Sequence, residues 1–334
     1  MKCVLSLLIL GFSLSSMSTV PKVVQKGFGI IWGLEFVNSD EVLISERTGK
    51  LKILNLKTNK VSEVTGAPKV LVRGQGGLLD ITLHPDFNKT KRVYLTYSKK
   101  VGSGYTTAMG YGILNDKKLE NFKEIFKGIG DSRERYHFGS RVVFDNDKNI
   151  FMSIGDRGQR ENSQNLKNHF GKILKINDEG KALKSNPFFA DKNALAEIWS
   201  YGHRNPQGLF YDKKNSRLYE MEHGPRGGDE INIIEKAQNY GWPKASHGKE
   251  YMLPMMVGDA KSIPGMKDPY VVYDPSIAPS DLLLYSSDYH PQFKNSLLSG
   301  ALKLTHLNQI SLPSKKEKRY FEDKNYRIRA LALS

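Results

Sequence analysis

The chain of 334 residues contains one cysteine, Cys3, so no intramolecular disulfide can staple it. Helical periodicity is almost as scarce. Only Asn193 to Ile198 and the region around Glu235 read as a turn or two of helix. No Gly-x-Gly-x-x-Gly opens after a strand, which disfavours a nicotinamide enzyme, and no Ser/His/Asp triad suggests itself. The net charge of +15 is scattered through turns rather than gathered in a tract, so a nucleic-acid surface is not indicated. A basic pocket for a polycarboxylate would be a local version of the same bias.

The N-terminus has the form of a secretory leader: Lys2, an apolar run from Val4 to Leu14, then small residues through Ser18. Such a run is too short to span a bilayer. Cleavage is expected after Ser18, giving a leader at 1–18, a single domain at 19–334 and a periplasmic location. Cys3 lies ahead of the apolar run, where it cannot serve as a lipid anchor.

From Trp32 onward the chain reads as short strands divided by turn residues. Similar openings recur at Trp32, Gly77, Gly139, Asn205, Ile277 and Arg327, spaced by roughly 45 to 75 residues, the period of four-stranded blades with insertions. The expected fold is all-β, a six-bladed β-propeller. Its last blade has an inner strand, Arg327 to Leu333, but no residues for that strand's neighbours.

Propellers bring matching corners of their repeats to one channel mouth. Several polar clusters fall at such corners. Gly202-His203-Arg204-Asn205-Pro206-Gln207-Gly208 and Glu222-His223-Gly224-Pro225-Arg226-Gly227-Gly228-Asp229-Glu230 flank one hairpin, a mixture suited to an anionic ligand and a metal. His137 precedes one strand and Asp156 follows its partner; as neighbours they would make a carboxylate-oriented base, although a His at a strand start is often structural. The Gly-rich loop 74–80 is by itself as good a tight turn as a site. Lys303, Arg327 and Arg329 are three cations suited to several carboxylates at one mouth, or, separately, three solvated charges.

Taken in order, GQGGLLD (74–80), YHFGSR (136–141), GDRG (155–158), GHRNPQGL (202–209), EHGPRGGDEIN (222–232), NYGWP (239–243), Ala278-Pro279-Ser280, GALK (300–303) and RIRAL (327–331) resemble the soluble aldose sugar dehydrogenases. These are relatives of the soluble quinoprotein glucose dehydrogenases, which use pyrroloquinoline quinone (PQQ). The resemblance implies oxidation of an aldose at its anomeric carbon to a lactone, with His137 as base and Asp156 as its support. It places Arg204 and Asn205 at the quinone, and Lys303, Arg327 and Arg329 as clamps on its carboxylates. Gln75 would contact substrate, with Tyr251 lining the pocket. The carbonyls of Gly224 and Pro225 would hold a Ca²⁺ ion that also binds the quinone, and Glu230 with the Tyr240 carbonyl a second, structural one. The implied partners are an aldose and an unidentified electron acceptor, with no nucleic acid and no membrane anchor, in a monomer or homodimer. Two rival readings stay open: a propeller that binds sugar or protein without turnover, and a calcium-dependent lactonase.

Overall fold

The computed structural model describes residues 21–252 and 255–333; the expected leader, 1–18, lies outside the described residues. Short apolar segments between turn residues form, among the described residues, twenty strands in five four-stranded antiparallel sheets, many of them buried along their whole length. The first blade is β1 (Ile31–Asn38), β2 (Glu41–Glu46), β3 (Lys50–Asn55) and β4 (Lys60–Val64). The second is β5 (Leu78–Leu83), β6 (Arg92–Val101), β7 (Gly104–Asn115) and β8 (Lys118–Lys127). The third is β9 (Val142–Phe144), β10 (Ile150–Ile154), β11 (Lys172–Ile176) and β12 (Ile198–Tyr201). The fourth is β13 (Pro206–Asp212), β14 (Arg217–Glu222), β15 (Asp229–Ile234) and β16 (Val271–Tyr273). The fifth is β17 (Pro279–Tyr285), β18 (Ser296–Ala301), β19 (Leu307–Ser311) and β20 (Lys316–Tyr320).

The hairpins close with side chains that imitate a backbone turn. Asn38 Oδ1 accepts the Asp40 amide at 2.9 Å, Asp145 Oδ1 the amides of Asp147 and Asn149, and Asp212 Oδ1 that of Lys214. Apolar faces of neighbouring sheets then pack together, as where Leu43, Leu51 and Ile53 of the first blade meet Leu95 and Ala108 of the second. The segments expected to be briefly helical are not. Asp191 Oδ1 accepts the Asn193 amide in a turn, and Ile198 already opens β12. Around Glu235 the chain turns to let Tyr240 Oη bond the Glu235 amide.

The inner strands β1, β5, β13 and β17 each carry a bulge near their start, at Trp32, Leu79-Asp80, Gln207 and Ser280-Asp281. A bulge re-aims side chains out of the pleat. Here it sends them to the propeller axis, where they meet Arg141, just ahead of β9. The Arg141 guanidinium bonds Asp80 Oδ1 at 2.6 Å, the Gln207 carbonyl at 2.8 Å and the Ser280 carbonyl at 2.9 Å. It also lies 3.4 Å from Asp281 Oδ1 and 4.4 Å above the Trp32 ring. Inner elements of all five blades thus share one buried cation.

The expectation of six blades is corrected here. The sixth opening reaches its place around the axis without forming a sheet. The carbonyl of Arg329 takes a further Arg141 bond at 3.1 Å, that of Ile328 accepts Ser280 Oγ at 2.6 Å, and the Leu331 amide reaches Asp281 Oδ2 at 2.8 Å. Residues 326–333 have no strand partner among the described residues, and the expected inner strand from Arg327 to Leu333 is an irregular segment held by side chains. Residues 21–30 likewise contribute no strand.

Candidate active site

His137 sits in the loop before β9 with a left-handed φ of 58°, a conformation costly for a residue with a Cβ and held only where the surroundings enforce it. Three contacts enforce it. The His137 amide donates to Gln75 Oε1 at 2.8 Å. The fully buried Arg157 bonds the carbonyls of Tyr136 and Glu134, with its guanidinium 3.4 Å from the centre of the Phe138 ring. Gly155 allows the third: a Cβ there would lie 2.4 Å from the His137 carbonyl oxygen and 3.0 Å from Asn205 Oδ1. The loop from the second blade's approach, the β9 loop and the fourth blade's opening are therefore packed backbone to backbone.

The imidazole faces Asp156 as expected, with Nδ1 2.7 Å from Oδ1. Asp156 also receives the Gly158 amide on Oδ1 and the indole Nε1 of Trp242 on Oδ2, both at 2.8 Å. Burial opposes its ionisation, but the bond to His137 and the charges of His137 and Arg204 prevail and hold its pKa below the usual value. An ionised Asp156 fixes the proton on Nδ1 and leaves Nε2 as a free acceptor. Burial, and then the nearby Arg204 charge, push the His137 pKa down to about 4, so the ring is neutral at ordinary pH. With 13% of its side chain exposed, it opens onto a cavity of about 400 Å³ that also touches Gln75, Arg204, Trp242 and Tyr251. Tyr251, 63% exposed, forms the rim and not the floor of this cleft.

Arg204 follows β12, its guanidinium 5.2 Å from the Trp242 ring centre and bonded to the carbonyls of His223 (3.1 Å) and Gly224 (2.8 Å). Its Nε and the Nδ2 of Asn205 are buried and without protein partners, donors left over for a ligand. Glu222 Oε2 accepts the backbone amides of both residues and sets their direction.

A second cavity, of about 500 Å³, is lined by Asn205, Lys303, Arg327 and Arg329 and shares Gln75 with the first. Burial, followed by the charges of Arg141, Arg327 and Arg47, pushes the Arg329 pKa down to about 10. No carboxylate among the described residues pairs with Lys303, Arg327 or Arg329. Cations gathered in a half-buried pocket without counter-ions repel one another, and a polyanionic ligand relieves that repulsion.

The residues expected to hold metal come together around one small cavity of about 10 Å³, room for a single ion or water: Gly224, Pro225, Glu230 and Tyr240 all line it, with Glu222. Glu220, Glu222 and Glu230 are packed nearby. Burial and the Glu222 charge raise both Glu220 and Glu230 well above the ordinary carboxylate range. Glu220 Oε1 and Asn232 Oδ1 have no partner, and one oxygen each of Glu220 and Glu222 lies within 4.8 Å of a His203 nitrogen. Oxygen-rich, with buried carboxylates whose like charges oppose one another, this pocket suits a hard cation that would favour their ionised form. The register of β14 and β15 sets Glu222 directly opposite Glu230.

Residue-by-residue reasoning missed Trp242, Arg157, Arg141, Arg47 and His223 as parts of the site. Trp242, His223, Arg157 and Arg141 lie inside motifs that were visible, NYGWP, EHGPRGG, GDRG and YHFGSR. Arg47 lies outside every such motif, and only the fold brings it to the pocket.

A propeller with a neutral His held by an ionised Asp, opening onto a cleft beside an uncompensated cationic pocket, defines a small-molecule enzyme of the anion-cofactor kind. The chain belongs to the glucose/sorbosone dehydrogenase family, whose model matches residues 28–334. It is 37% identical over 318 residues to the aldose sugar dehydrogenase YliI of Escherichia coli, covering 92% of this chain and 85% of that one. The crystal structure of the soluble aldose sugar dehydrogenase of Escherichia coli in its apo form superposes with a TM-score of 0.90 at 36% identity, covering 94% and 92% of the two chains. The PQQ-bound aldose sugar dehydrogenase of Streptomyces coelicolor gives 0.78 at 27% identity, covering 93% and 87%.

Proposed function

We propose that this protein oxidises aldose sugars at the anomeric carbon to lactones, with PQQ as cofactor and Ca²⁺ as its metal. The observation that carries the reading is the pairing of an uncompensated cationic pocket, Lys303, Arg327 and Arg329, with the neutral His137 held by Asp156 in the adjoining cleft. PQQ is a tricarboxylate, and those cations with Asn205 Nδ2 supply what its carboxylates and ring require. When bound, it supplies the acceptor for the hydride that leaves the anomeric carbon. His137 Nε2 takes the proton of the anomeric hydroxyl, and Asp156 stabilises the imidazolium that results. Arg204, anchored on the Gly224 carbonyl, brings a fixed positive charge to the site where negative charge develops. Gln75 holds the His137 amide and borders both cavities, which gives it a positioning role beside its expected contact with substrate. The carbonyls of Gly224 and Pro225, with Glu230 and the Tyr240 carbonyl, would hold calcium.

The family membership and the intact base favour turnover over simple binding. Asp80 and Asp281 at the channel are already engaged by Arg141, which disfavours a lactonase metal on those two carboxylates. The leader expected at 1–18 would deliver the protein to the periplasm, with a mature N-terminus near Thr19. Purified protein assayed with a dye acceptor should oxidise aldoses only when PQQ and Ca²⁺ are both supplied. Undiminished activity in EDTA without added quinone would end the reading.

A further inference from the structure

The cationic pocket has a fourth member, and it comes from the opposite end of the chain. Arg47 stands at the turn between β2 and β3, and its side chain lines the same cavity as Lys303, Arg327 and Arg329. Its backbone is fixed on two sides: the amide donates to the Ile30 carbonyl at 2.9 Å, and its own carbonyl accepts the Leu78 amide at 3.1 Å. The seating is close enough that a Cβ on Gly77 would lie 1.8 Å from the Arg47 oxygen. The anchor is rigid while the guanidinium is unsatisfied, for its Nε is buried without a partner. The nearest acid in sequence, Glu46, is already taken by Lys52 at 2.6 Å and by the Gly29 amide at 2.8 Å. Asp80 and Asp281 are taken by Arg141. Arg47 therefore has no carboxylate counter-ion among the described residues, yet it stands close enough to Arg329 to disfavour that residue's charge.

We propose that Arg47 is a further carboxylate clamp for the cofactor, supplied by the first blade, so that the bound anion ties that blade to residues 326–333 where no sheet joins them. The inference rests on the reading of the pocket as a PQQ site. A rigid protein bridge at this position would need paired strands. The structure offers instead two sets of cations, one on the β2–β3 turn and one on the irregular segment, facing one cavity. A polycarboxylate between them replaces two mutually repelling groups with charge-assisted hydrogen bonds on both sides.

The test is an equilibrium titration of the full chain with PQQ in the presence of Ca²⁺, followed by quenching of tryptophan fluorescence, since Trp32 lines the same cavity. Arg47→Ala should weaken binding about 10- to 100-fold, the usual scale for one charged hydrogen-bonding partner. Arg47→Lys should recover part of the loss, and the salt dependence of binding should become shallower in Arg47→Ala. The melting temperature of apo Arg47→Ala should stay level or rise, because a repelling charge has gone. Amide exchange at 326–333 should slow on adding PQQ to the wild type and slow less in the variant. Wild-type affinity in Arg47→Ala, alongside weakened binding in Lys303→Ala, would overturn this inference and leave the functional reading standing. Absence of PQQ binding by the wild type would overturn both. A lowered apo melting temperature in both Arg47→Ala and Arg47→Gln would assign Arg47 to packing and overturn it as well.

Discussion

The two halves of the site are built on opposite principles. Around His137, the groups that fix the base have partners in the protein and only Nε2 is left open to the cleft: Gln75 on the amide, Asp156 on Nδ1, Trp242 and Gly158 on Asp156, and Arg157 on the preceding carbonyls. Around Arg329, the cations face one another without carboxylates, and burial with like charge already pulls its pKa down to about 10. The first half is organised before any ligand arrives, as the proposed role of His137 as base requires. The second lacks counter-ions, which the proposed cofactor would supply. Preorganisation and ligand-dependence thus coexist within adjoining cavities, one carried by hydrogen bonds and the other by uncompensated charge.

Damage to the finished half should appear in turnover. His137→Ala is expected to cut kcat by about 10² to 10⁴, the scale of losing a general base, with PQQ affinity nearly unchanged. Equal losses in affinity and turnover, measured by steady-state kinetics beside fluorescence titration, would show that the two halves are not separable. Damage to the unfinished half should appear in binding. Arg329→Ala should raise the PQQ Kd about 10- to 100-fold while leaving the apo melting temperature level or higher. Excess PQQ should in turn stabilise the wild type more than the variant, by about 2.7 kcal/mol at a hundredfold excess over Kd for the wild type. An apo protein destabilised by Arg329→Ala would contradict the idea that this group lacks a partner.

The smallest effect is on pH. His137 titrates at about 4 in the folded protein, lowered by burial and then by Arg204, against about 6.5 when exposed. Protonation removes the base, so the acid limb of kcat/KM should fall near pH 4 and not near 6.5. For stability the sign is the same. Between about 6.5 and 4 the unfolded chain binds a proton that the folded chain does not, so this group's contribution weakens as pH falls through that window. An acid limb near 6.5 would mean that the imidazole is less confined than the structure shows.

Strand identity, turn positions and the His137–Asp156 pair were legible in sequence because each depends on local pattern: short apolar runs, the turn residues between them, and two residues at the matching ends of paired strands. Even the six openings were real, since the other five all reach Arg141 of the third. That only five of them lead into sheets could not be read from the pattern. A strand is made by a neighbour's backbone, and the segment 326–333 is held instead by Arg141, Ser280 and Asp281. The same limit hid Trp242, whose bond to Asp156 spans 86 residues of sequence. Arg47 is the extreme case. In sequence it is one of 50 basic residues in a strongly positive chain, with nothing to mark it as different. Only tertiary structure brings it to a pocket shared with Arg327 and Arg329, because local sequence chooses the conformation of a turn but not which charges, hundreds of residues away, will lack a counter-ion beside it.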